Sequence, residues 1–156
     1  MKKLMTSIVF GFFAIVVLAQ TAVTFKDAKV ETAYKNYIQL KNALVASKAD
    51  EAKAAAGKLK TSLASVKDGK NAMAEATKIS NATGLDEIRK TFASLSNEMK
   101  TVVKAGQVSK GDLYLEYCPM ANNNTGAYWL SNEKEIKNPY FGDKMLRCGS
   151  VKETIR

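Results

Sequence analysis

The chain has 156 residues, no histidine, two cysteines and a formal charge of +9 at neutral pH. That length is enough for one domain with its own core. The missing histidine removes the commonest general base and the usual partner of a serine or cysteine nucleophile, so ordinary triad chemistry is excluded and any metal site must use sulfur or oxygen.

The positive charge does not point to nucleic acid. Lysine is spread along the chain and only three arginines occur, Arg89, Arg147 and Arg156. A clustered basic face with a recognised motif is missing. The reading is a lysine-rich solvated surface, with a weak pull toward anionic membranes as the alternative.

In chain order, Met1-Lys2-Lys3 is a short basic start, followed by a nearly continuous apolar run from Leu4 to Leu18. With Val17-Leu18-Ala19 as a cleavage site, residues 1–19 read as a secretory signal peptide. An uncleaved anchor is the competing reading, since the run approaches the length of a short span. Cleavage would leave no stable membrane anchor and a mature domain, 20–156, in a bacterial periplasm or outside the cell. Export permits a disulfide that cytosol would disfavour.

Four helical patterns follow. Residues 27–48 place Val30, Tyr34, Tyr37, Ile38, Leu44 and Val45 at helical spacing. Ser47 or Asp50 is expected to cap a second helix over 51–67, with an alanine-rich face (Ala52, Ala55, Ala56) that lets a neighbour approach closely. A third, shorter helix runs over 70–80 after the Asp68-Gly69 turn. The fourth begins at Leu85, with Thr83 as its expected cap. Its seam of Leu85, Ile88, Phe92, Leu95, Met99 and Val102 faces other helices, and Gly106 closes it. Met73 and Met99 read as gap-filling core residues. Short connections between consecutive helices predict an antiparallel three- to four-helix bundle over 27–105, so the fold class is mainly α.

The texture changes over 106–156, which reads as an irregular C-terminal aromatic and cysteine lobe. Tyr114 to Tyr117 alternates like a short strand, or is simply extended before Pro119. Ala121 to Gly126 reads as a loop. Trp129 to Ile136 is expected to hold a helical turn started by Ser131. With few hydrogen-bonded elements expected, the lobe is expected to need a cross-link or an ion.

Both cysteines fall in this lobe, each with a methionine nearby: Cys118-Pro119-Met120 and Met145-Leu146-Arg147-Cys148. Together these residues offer two thiolates and two thioethers, a donor set that selects Cu(I) or Ag(I). Trp129 is a weaker member, able to cover the open side of a bound cation. The alternative is a structural Cys118–Cys148 disulfide, which by the chain-entropy estimate contributes roughly 3 kcal/mol. An oxidised pair cannot supply thiolates, so the two readings exclude each other in any one state. No Cys-x-x-Cys motif occurs, and neither a catalytic residue nor an organic cofactor site is indicated.

Three blocks also carry a resemblance. They are the segment from Tyr37 to Ser47 (Y-I-Q-L-K-N-A-L-V-A-S), the pattern R-x-x-F-x-x-L-S from Arg89 to Ser96, and Y-C-P-M-A, W-L-S and N-P-Y-F-G-D-K-M-L-x-C-G between Tyr117 and Gly149. Together they resemble domain-of-unknown-function family 3347. This is an uncharacterised exported bacterial domain, found alone and at the C-terminus of CusB-like heavy-metal efflux adaptors. The Cys-Pro-Met opening is also similar to that of small heavy-metal-binding domains beginning Y-x-C-P-M-H-P, with Ala121 standing where those carry histidine. The resemblance implies copper or silver handling in the periplasm, with an efflux adaptor or metallochaperone as partner.

The expected function is therefore non-enzymatic binding or transfer of Cu(I) or Ag(I) beside an efflux system, with Cys118, Met120, Met145, Cys148 and Trp129 as ligands. The alternative is a protein-interaction module stapled by Cys118–Cys148, in which Trp129, Tyr140 and Phe141 form a docking surface or a small core.

Overall fold

A computed structural model describes residues 22–156; the expected signal peptide, 1–19, lies outside the described residues. The fold is mainly helical and carries two small antiparallel sheets. Among the described residues no helix is long and apolar enough to cross a membrane.

After a two-residue strand, four helices follow: α1 (Ala28–Val45), α2 (Ala49–Leu63), α3 (Lys70–Ser80) and α4 (Leu85–Gly106). Each packs on the next, and α4 also returns against α1. The alanine face of α2 is buried, with Ala52, Ala56, Leu59 and Leu63 sealed from solvent. The α4 seam is buried from Ile88 to Val102, while Leu85 at its start is only partly covered. At the far end, a Cβ on Gly106 would lie 2.6 Å from Val30 Cγ1, so only glycine allows α4 to come this close to α1.

The helix starts differ from expectation. Asp27 caps α1 by accepting the Lys29 N–H at 2.8 Å. Neither Ser47 nor Asp50 caps α2; Lys48 holds that position without a side-chain hydrogen bond. At α4 the cap position is Gly84, and Thr83 instead donates its N–H and hydroxyl to Glu87, at 2.8 and 2.9 Å.

The C-terminal lobe is a sheet, which corrects the expectation of an irregular segment. β1 (Thr24–Phe25) pairs with β2 (Val108–Lys110), tying the start of the described chain to the exit of α4. The larger sheet has β3 (Leu113–Cys118) at its centre, flanked by β4 (Ala127–Ser131) and β5 (Ser150–Ile155). Its two antiparallel ladders tie β3 to both neighbours. The strand expected at Tyr114 to Tyr117 is β3. The helical turn expected from Trp129 is strand β4, and Ser131 accepts the Glu133 N–H at 3.1 Å rather than starting a helix. β4 escaped the alternation test because Ala127, Trp129, Leu130 and Ser131 are all buried, so both faces of the strand are covered.

β4 is an edge strand, and its outer edge is closed by two phenols. The Tyr37 hydroxyl accepts the Leu130 N–H at 3.1 Å, and the Tyr140 hydroxyl donates to the Tyr128 carbonyl at 2.6 Å. α4 packs alongside the same strand.

Candidate functional site

Cys118 is the last residue of β3 and is fully buried. After it the chain turns sharply. Asn122, Asn123 and Asn124 adopt left-handed backbone angles in succession, with φ of 52°, 57° and 62°. Asparagine tolerates this conformation better than most residues, which explains the run of three.

Cys148 reaches the same corner from the other side. Its N–H bonds back to the Met145 carbonyl at 3.0 Å, closing a tight turn after the 3₁₀ segment Gly142–Met145. Asn138 organises the loop that delivers it. The Asn138 side chain donates to the Cys148 carbonyl at 2.7 Å and accepts the Tyr140 N–H at 2.8 Å, while its backbone N–H bonds to Leu146 at 2.8 Å. Gly149 follows at φ +144°, and a Cβ there would sit 2.8 Å from the Trp129 ring. Glycine is therefore required where the chain passes over the indole.

The two cysteines are free thiols in contact, with sulfurs 2.7 Å apart. The contact with Cys118, helped by burial, pushes the Cys148 thiol up to about 11. The Cys148 thiol therefore resists ionisation until a bound cation displaces its proton.

The methionines line a pocket nearby. Met120, 45% exposed, and the half-buried Met145 line one open pocket of about 870 Å3, together with Arg89, Tyr140, Phe141 and Lys144. The cysteines are not among the residues lining it. Trp129 is fully buried, edge-on to Tyr140 at 5.9 Å, and lies beneath Gly149 as a wall rather than a lid. Among the described residues no three His, Cys, Asp or Glu side chains group as metal donors. A metal held here would need the thioethers as well as the thiols.

The residues that carry the resemblance wire the lobe to the helices. Tyr37 bonds Ser96 of α4 at 2.7 Å and stacks on Phe92 at 5.3 Å. Phe92 in turn meets Tyr140 at 5.8 Å, so an aromatic chain runs from α1 through α4 to β4. Arg89 donates to the Pro139 carbonyl at 3.0 Å, to the Leu44 carbonyl at 3.3 Å and to the Ser47 hydroxyl at 3.0 Å. It caps the end of α1 and fixes the loop beside the methionine pocket.

Sequence reasoning missed a second cluster. Lys41 on α1 and Glu116 on β3 are both fully buried, Lys41 against the expectation that the lysines form a solvated surface. The available signal was phase. Tyr37, Leu40, Lys41 and Leu44 follow helical spacing, which puts Lys41 inside the apolar stripe. Glu116 alternates with Cys118 on one face of β3 and lies opposite Trp129 of β4. Burial pushes the Glu116 carboxyl up to about 8, against the pull of the Lys41 charge, and burial lowers Lys41 from its ordinary value.

Compared with known proteins, residues 33–111 match the model of a family described as a protein of unknown function, DUF3347. The match spans just over half the chain, from α1 to the residues after β2, and stops short of β3 and the sulfur corner. No curated protein and no solved structure matches the chain.

Proposed function

The chain belongs to the DUF3347 family, whose function is unknown, and for this member we propose a non-enzymatic module that binds or hands on Cu(I) or Ag(I) in the bacterial periplasm, beside a heavy-metal efflux adaptor or metallochaperone. The observation that carries this reading is the thiol pair at 2.7 Å with a methionine close along the chain from each cysteine, both methionines lining one pocket. Cys118 and Cys148 are the anionic ligands; Met120 and Met145 are the neutral soft donors at the solvent side. Trp129 shapes the floor. The four helices, arranged as an antiparallel bundle, are support, and Arg89 and Asn138 hold the two sulfur-bearing segments in register.

Binding displaces the thiol protons, so affinity rises with pH. The test is a Cu(I) titration of the reduced protein against a competing chelator, with the Met120→Leu/Met145→Leu double variant alongside. One-to-one binding that weakens by at least about tenfold in the variant supports the reading, tenfold being about 1.4 kcal/mol. Failure to compete with the chelator overturns it.

The 2.7 Å contact also favours a second reading, a disulfide-stapled interaction module. In that case the isolated protein resists alkylation until a reductant is added, and the methionine variant behaves as wild type.

A further inference from the structure

β3 carries the sulfur corner at one end, at Cys118, and a second open hollow at the other, where Leu113 lies opposite Ile155. This hollow, of about 630 Å3, runs between the end of the small sheet and the second half of β5. Successive side chains of a strand point to opposite faces, so a hollow over one face touches every second residue. Glu153, Thr154 and Ile155 line this one in succession, so it follows the border of β5 rather than a face. β3 holds the other border, and β5 is last in its sheet. The hollow therefore opens onto backbone that no strand among the described residues pairs. Unpaired strand backbone is a template for a further strand.

The charge along this border is uneven. Lys26, Lys104 and Arg156 line the hollow against one acid, Glu153. Lys152, exposed on β5, adds a further cation. Glu153 is already paired with Lys104 at 2.8 Å, and the neighbouring Asp112 with Arg156 at 2.8 Å. Lys26 donates to the amide oxygen of Gln107 at 2.8 Å, and Lys152 stands 5.8 Å from the centre of the Tyr117 ring. Among the described residues, neither of these two charges is matched by a carboxylate. A second copy of a chain with a charge of +9 would bring the same lysines to the same border and be repelled. The complement is an acidic strand.

We infer that the outer border of β5 is a docking strip for an extended, acidic segment of a partner protein, which joins the three-stranded sheet as a further strand and sets its carboxylates against Lys26 and Lys152. Backbone pairing supplies affinity, and the lysines select acid over base. No cysteine or methionine lines the hollow, so the strip does not depend on metal at the sulfur corner.

The probe is a capped peptide of alternating glutamate and valine, about six residues long to match a strand. Two controls accompany it. One has lysine in place of glutamate. The other keeps glutamate but is N-methylated throughout, so it retains its charge and loses every backbone donor. Binding is read from the backbone amide shifts of the protein at low salt. The acidic peptide is expected to shift the amides from Val151 to Ile155 and to bind at least about tenfold more tightly than either control. Raising the salt should weaken it. Lys26→Glu/Lys152→Glu, at two exposed positions, should reverse the preference toward the lysine peptide. An N-methylated peptide that binds as well as its parent overturns strand addition. A β5 that does not respond to the acidic peptide, or shifts that fall elsewhere, overturn the strip. Self-association that shifts the same amides without any peptide also overturns it, and makes a second copy the occupant.

Discussion

The two halves of this protein are held by different forces. Between α2 and α3 the interior is alanine, leucine and isoleucine, with Ala52, Ala56, Leu59, Leu63, Ala72, Ala76 and Ile79 packed together. At the junction of α1 and α4 with the sheet, the interior holds Tyr37, Ser96, Lys41, Glu116 and Asn138, all fully buried. The first interior is non-directional: its stability follows area and volume. The second is directional. It joins the lobe to the helices, and Tyr37, Ser96 and Asn138 are stabilising only while their hydrogen-bond partners are in place. A mainly apolar half thus supplies stability in bulk, while the polar junction positions the sulfur corner.

The contrast can be broken at three strengths. Leu59→Ala, in the apolar half, should cost about 3 kcal/mol through a cavity, and the loss should be the same at acid and alkaline pH. Chemical denaturation at two pH values checks both points; a pH-dependent loss would mean that the two interiors are coupled. Tyr37→Phe removes one hydroxyl from the junction, leaving the Leu130 N–H and the Ser96 hydroxyl without it. The expected loss is about 1–2 kcal/mol, with Trp129 emission shifting although the ring stacking is kept. Lys35→Ala breaks the exposed pair with Glu31 on α1, 2.5 Å long. It should cost less than about 0.5 kcal/mol, and even that should vanish in high salt. A larger loss would mean that surface charge, rather than either interior, carries the helices.

Most of the helical half was legible because its signal is periodic. The seam from Ile88 to Val102 and the alanine face of α2 are written at helical spacing, and burial follows the same spacing. Three features were not legible for physical reasons. Lys41 was read as surface because lysine rarely enters a core, although its phase placed it there. β4 gave no alternation because both its faces are covered. The meeting of Cys118 and Cys148 was open to more than one reading. The geometry that joins them rests on the hydrogen bonds of Asn138 and the left-handed turn at Asn122 to Asn124, and neither has a period. Met120 and Met145 line one pocket whose lining does not include the cysteines, and across Pro119 the chain passes from the buried Cys118 to the exposed Met120.

The two phenols on β4 also decide which way the sheet can grow. With the Leu130 N–H given to Tyr37 and the Tyr128 carbonyl taken by Tyr140, that border has two of its backbone groups already engaged by side chains, which hinders another strand from pairing there. The other border of the sheet is β5, where Lys152 stands beside a Glu153 already paired with Lys104 at 2.8 Å. A strand that paired backbone to backbone would meet fewer engaged groups there than along β4, and would meet charged side chains instead.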